Sequence, residues 1–111
     1  MPLPQAPLPG GKYRVLVMED DPNIARLVLA NLTQAGFECR HAADGVSGLT
    51  AFQTVNPHLV VLDIMMPGLD GRQVCAKIRE SSMVPIIMMT ALDQDEDQVR
   101  GFKAGADDYV P

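Results

Sequence analysis

Three apolar runs in this sequence each stop on side chains that offer oxygen. The first, Tyr13 to Met18, gives way to Glu19, Asp20 and Asp21; the second, His58 to Leu62, ends on Asp63; the third, Pro85 to Met89, ends on Thr90. Brought to one place, Glu19, Asp20 and Asp63 repel one another, so either one carboxyl keeps its proton or a hard cation sits among them. Carboxylate oxygens with room for water suit Mg²⁺. Each position also has an ordinary reading. Glu19 to Asp21 serves equally as a solvated loop ending in a helix cap, Asp63 as a cap on the Pro67-Gly68 turn, and Thr90 as a strand-end hydroxyl bonded to backbone. Their joint placement at successive run ends tips the balance toward a site.

The elements that must position these residues follow from pattern. Residues 1–11, with four prolines and two glycines, form a flexible leader by composition, and residues 12–111 one domain. Asp21 is a good N-cap and Pro22 a good first helical residue; Ile24, Leu27, Val28, Leu32 and Ala35 then recur at helical spacing up to Gly36. Phe37 to Ala42 is a shorter strand. Val46, Leu49 and Phe52 form the stripe of a second helix that must stop before Pro57. After the His58–Asp63 strand, Asp70 caps a helix carrying Val74, Cys75 and Ile78. Pro85 to Thr90 is the fourth strand. Asp93 to Glu96 has capping-box spacing ahead of Val99 and Phe102, and Asp107 to Val110 begins a fifth strand after Gly105. Near-continuous apolar strands alternating with helices predict an α/β fold, a doubly wound parallel sheet covered on both faces. Such sheets bind ligands outside the carboxyl ends of their strands, where the three acids fall.

Bulk properties bound the function. The chain has 111 residues and a net charge of -5, which fits one small core. It lacks the clustered Lys and Arg of a nucleic-acid footprint, so contact with DNA is not expected of this segment. No apolar run approaches a membrane span, and the amino terminus has no basic region followed by a long apolar one. A cytoplasmic location is expected, with Cys39 and Cys75 reduced and part of the core. His41 and His58 flank strands and have no partner at ligand spacing, so both are expected to be structural. The seven methionines fall largely on strands and read as packing. Asp95 to Asp97 reads as a negative first helical turn. Gly68, Gly71 and Gly105 are assigned to turns, and nothing matches a dinucleotide fingerprint or a P-loop.

Four segments carry a family resemblance: Val-Leu-Val-Met-Glu-Asp-Asp, Leu-Asp-Ile-Met-Met-Pro-Gly-Leu-Asp-Gly, Ile-Met-Met-Thr-Ala and Gly-Ala-Asp-Asp-Tyr-Val-Pro. Together they resemble the receiver domains of bacterial response regulators, most of all the OmpR/PhoB subfamily, over residues 13–111. The resemblance implies a CheY-like, flavodoxin-like five-stranded sheet of order 2-1-3-4-5. It implies that Asp63 accepts phosphate from a sensor histidine kinase. Mg²⁺ would be held by Asp20, by Glu19 through water, by Asp63 and by the backbone carbonyl of Met65. Thr90 and the backbone of Ala91 would contact the phosphoryl group, and Tyr109 would be the aromatic switch.

The chain also departs from the family. The lysine that follows the tyrosine, and the last helix with it, do not occur before Pro111, and Gln98 stands where the subfamily often has a basic residue pairing across a dimer. The sequence is therefore expected to be a shortened piece of a longer regulator that reaches DNA through another domain. Without the last helix one sheet face should lie bare, so self-association or a homodimer is expected.

Readings from other classes are weaker. A dehalogenase-type phosphatase needs a second Asp two residues after its nucleophile, where Met65 stands. A flavodoxin-like nucleotide binder needs a hydroxyl- or glycine-rich loop after strand one, where this chain has acids. A pseudo-receiver that signals without phosphate is disfavoured by the intact acidic set. The domain is thus expected to be no enzyme beyond phosphotransfer onto itself and loss of that phosphate.

Overall fold

The computed structural model of the chain describes residues 6–89 and the backbone of residues 108–110. In chain order the elements are β1 (Arg14–Met18), α1 (Pro22–Gln34), β2 (Glu38–Ala42), α2 (Gly45–Val55), β3 (Leu59–Asp63), α3 (Gly71–Arg79), β4 (Ile86–Met89) and β5 (Asp108–Val110). The strands are parallel, and the first four lie in the expected order β2-β1-β3-β4. The short β5 pairs beside β4, with Tyr109 opposite Met88. The segment holding Asp93 to Glu96, Val99, Phe102 and Gly105 lies outside the described residues.

Side chains alternate across a strand, so each apolar run feeds both faces of the sheet. Leu16, Met18, Val60, Leu62, Ile86 and Met88 point to the larger core, with Val74, Cys75 and Ile78 of α3 and the half-buried Leu49 and Phe52 of α2. Val15, Val17 and Val61 point the other way, under Val28, Leu29 and Leu32 of α1. Burial on both sides explains why β1, β3 and β4 read as unbroken apolar runs. Both cysteines are free, Cys75 in the core and Cys39 half-buried on β2. No helix among the described residues is long and apolar enough to cross a membrane.

The helix starts are where the sequence places them. Asp21 accepts from the N–H groups of Asn23 at 2.8 Å and Ile24 at 3.2 Å, with Pro22 in the first turn. Asp70 and Gln73 form a reciprocal capping box, at 3.0 and 2.9 Å, that launches α3. Two apolar stripes differ from expectation. On α1 the inward residues are Ala25, Val28, Leu29 and Leu32, while Ile24 and Leu27 are 41% and 63% exposed and Ala35 is also exposed. On α2, Val46 is 68% exposed and the buried positions include Gly45 and Gly48. A Cβ on Gly48 would run into the Met18 side chain, and one on Gly45 into the carbonyl oxygen of Leu69. The missing side chains let that helix approach β1 at Gly48 and the segment leading into α3 at Gly45.

Gly71 also corrects the turn reading. It begins α3, and a Cβ there would fall against the Asp63 carbonyl oxygen and within 2.8 Å of Ile64 Cα. Its smallness serves close approach, whereas Gly68, at φ +74°, does serve a turn.

At the amino ends of the strands, Arg14 Nε bonds Glu38 at 3.2 Å and its Nη1 reaches the Val55 carbonyl at 2.7 Å. The Arg14 N–H donates to His58 Nδ1 at 2.9 Å, and His58 Nε2 donates to the Ala6 carbonyl at 2.7 Å. Tyr13 meets the same imidazole edge-on, ring centres 5.1 Å apart.

Candidate functional site

Glu19 directly follows β1 and Asp63 ends β3, and those strands are hydrogen-bonded neighbours in register, Met18 beside Leu62. The parallel sheet therefore delivers both carboxyls to one edge. Asp20 joins them from the β1–α1 loop: one oxygen of each of the three lies within 4.8 Å of the others. Glu19 and Asp63 are buried, at 2% and 8% exposure, whereas Asp20 is exposed. The cluster is thus walled by protein and open to solvent on the Asp20 side.

The backbone around these acids is held on several sides. Asp21, as N-cap of α1, fixes the far end of the loop. The Glu19 N–H donates to the Ala42 carbonyl at 3.1 Å, one step past the β1–β2 ladder. Beyond Asp63, the Ile64 N–H donates to Met89 O at 3.0 Å, and the Gly71 N–H to Ile64 O at 3.1 Å. Met65 turns its N–H onto Asp63 Oδ1 at 3.1 Å, which fixes the carboxylate's orientation, while its own side chain is 57% exposed. A groove of about 410 Å³ adjoins, lined by Ile64, Met65, Met66, Pro67, Asp70 and Arg72.

Electrostatically the cluster is unbalanced. Burial, followed by the hydrogen bond and charge of Asp63 and then Asp20, raises the Glu19 pKa from 4.5 to about 8. Glu19 Oε2 is buried with no hydrogen-bond partner. A buried carboxylate oxygen without a partner is costly, and a bound cation removes that cost and the repulsion together. Three oxygen donors, two buried and one facing water, fit a hard divalent ion that keeps part of its hydration.

Of the residues singled out from sequence, the structure brings Glu19, Asp20, Asp63 and Met65 together. Thr90, Ala91 and the side chain of Tyr109 lie outside the described residues. Sequence reasoning missed His41. It does not flank β2 but lies within it, and its Nε2 is 2.8 Å from the Glu19 carbonyl oxygen. A partner that is a backbone atom leaves no trace in residue spacing.

Comparison with known proteins agrees with this architecture. Residues 15–111 match the response regulator receiver domain family. The chain is 41% identical over 100 residues to the DNA-binding dual master transcriptional regulator RpaA of Synechocystis sp., covering 87% of this chain and 42% of that protein. It is 43% identical over 99 residues to the DNA-binding response regulator MtrA of Mycolicibacterium smegmatis, covering 89% of this chain and 43% of that protein. The chain thus spans about two fifths of these relatives' length. Among solved structures, the BeF3-activated N-terminal receiver domain of Klebsiella pneumoniae RstA superposes with a TM-score of 0.85 at 32% identity, covering 87% of this chain and 83% of that one. The Francisella response regulator 1452 receiver domain gives 0.82 at 35% identity, covering 88% and 82%. A parallel sheet that gathers three acids at the carboxyl ends of β1 and β3 is here joined to a family match over nearly the whole chain: this chain belongs to the response regulator receiver domains.

Proposed function

We propose that Asp63 accepts a phosphoryl group from a phosphohistidine of a sensor histidine kinase, and that the modified domain controls an output carried elsewhere in a longer regulator. An Asp63 oxygen attacks phosphorus, the bond from phosphorus to the histidine nitrogen breaks, and the imidazole leaves with the electron pair. Glu19, Asp20, Asp63 and the Met65 carbonyl would hold Mg²⁺, which when bound offsets the negative charge of the phosphoryl oxygens. The Met65 N–H keeps the Asp63 carboxylate in one rotamer, and the exposed side of the cluster admits the donor. Ile24 and Leu27, exposed on α1 just past Asp20 and Asp21, offer apolar contact to the protein that brings the phosphohistidine. By resemblance, Thr90 and the backbone of Ala91 contact the phosphoryl group and Tyr109 reports its arrival. The domain turns over no separate substrate, works in the cytoplasm, pairs with a second copy, and meets DNA only through another part of the regulator.

The observation that carries this reading is the meeting of Glu19, Asp20 and Asp63 with a buried, unpartnered Glu19 oxygen among them. The test is incubation with acetyl phosphate and Mg²⁺, read by Phos-tag electrophoresis. Wild type should gain one phosphate with Mg²⁺ present and none in its absence, and Asp63→Asn should gain none while keeping the wild-type circular dichroism. Phosphate on the Asn variant would overturn the assignment. A wild type that stays unmodified would favour signalling without phosphate.

A further inference from the structure

We infer that His41 is a positioning residue for the cation site, acting through the peptide that joins Glu19 to Asp20. This rests on the reading of the acidic cluster as a divalent-cation site. The carbonyl of Glu19 belongs to the same rigid plane as the N–H of Asp20, so a bond to that oxygen limits rotation of the whole unit. His41 Nε2 lies 2.8 Å from that oxygen. Because the partner is a carbonyl, Nε2 is the protonated donor nitrogen. The preceding peptide is gripped as well, with the Glu19 N–H on Ala42 O at 3.1 Å. Two consecutive residues of β2 therefore hold the two peptides on either side of Glu19. Asp21, bonded to Asn23 and Ile24, secures the next residue but one.

The consequence concerns the pair of acids as a unit. Glu19 points into the protein and Asp20 to solvent. For both to reach one ion, the peptide between them must keep a single orientation, and repulsion among the three carboxyls works against it. β1 ends at Met18, so its ladder to β3 no longer restrains this peptide. The His41 side chain supplies the restraint from the edge strand. His41 touches no donor, phosphate or ion; its role is to pre-set two ligands before the ion arrives.

The test measures Mg²⁺ affinity directly, by calorimetry at one fixed pH, on wild type, His41→Ala, His41→Gln and His41→Asn. The Gln amide nitrogen reaches about as far as Nε2, and the Asn nitrogen does not. The Mg²⁺ Kd should rise roughly 3- to 10-fold in the Ala and Asn variants, the size of one net hydrogen bond, and return to within about 2-fold of wild type in Gln. Phosphorylation from acetyl phosphate should slow in the Ala variant at limiting Mg²⁺ and recover at saturating Mg²⁺. Unchanged affinity in folded His41→Ala would overturn the inference, as would equal weakening in Gln and Asn. If the Ala variant does not fold, the Gln and Asn comparison decides alone. A wild type that binds no Mg²⁺ refutes the cation-site reading itself, a different result from a wild type that binds it with His41 indifferent.

Discussion

The two ends of the same parallel sheet are built on opposite rules. At the amino ends of the strands, buried polar groups have partners: both nitrogens of His58 are bonded, one to Arg14 N–H and one to the Ala6 carbonyl, and Arg14 is shared between Glu38 and Val55. At the carboxyl ends, three carboxyl groups are gathered and Glu19 Oε2 has no partner. The first end stabilises the chain; the second is held in place by the rest of it. Unmet electrostatic demand marks where a ligand belongs.

The sharpest challenge to that contrast is His58→Ala. It leaves the half-buried Arg14 N–H without an acceptor and replaces the buried imidazole beside Tyr13 with a gap, so unfolding free energy should fall by about 2–4 kcal/mol in urea titration. Phosphorylation from acetyl phosphate, at the far end of the sheet, should be unaffected at temperatures where the variant is folded. A loss below about 0.5 kcal/mol would mean that the amino end is not where stability resides.

At the carboxyl end the effect should depend on pH. The folded pKa of Glu19 is about 8 against 4.5 for the free side chain. Between those values the folded state keeps a proton that the unfolded state has released, so in EDTA stability should fall as pH rises from about 4.5 to about 8. The contribution is whole below that window and gone above it. Glu19→Gln should flatten the profile, and saturating Mg²⁺ should raise wild-type stability most at the alkaline side. Melting midpoints across this range check it, and a profile that does not change in the Gln variant would assign the dependence to another group.

The smallest effect belongs to Glu38→Gln. Arg14 first and then Arg40 hold the Glu38 carboxyl below its ordinary range, yet both ion pairs are partly solvated. Its melting midpoint should shift little at low salt and not at all at high salt. A large shift would make the amino end as charge-dependent as the carboxyl end and erase the distinction.

What was legible in the sequence followed periodicity and local chemistry. The strands and the Asp21 and Asp70 caps repeat every two or three to four residues or are set within one turn, and they stand where expected; the Gln73 half of the α3 capping box emerges only in the structure. So do the three acids, because parallel topology sends every strand end to one edge. What failed depended on contacts between distant elements. Ile24 and Leu27 are as apolar as Val28 and Leu32, and hydropathy alone cannot say which arc of α1 meets the sheet. Gly45, Gly48 and Gly71 act by having nothing where Leu69, Met18 and Asp63 come close. The bonds of His41 and His58 to backbone atoms agree with a structural reading of both, but which backbone atoms they meet carries no sequence signal.

The edge strand β2 has a bearing on solubility. Its outer backbone groups are a row of donors and acceptors against which another chain's strand can pair, the first step toward fibrillar association. Glu38 and Arg40 fall on alternate positions of this five-residue strand, which carries charge where the equally long β1 and β3 are largely apolar. A colliding copy must desolvate those charges before it gains a single ladder bond. The charged side chains of this edge therefore hinder a second chain from adding to the sheet there.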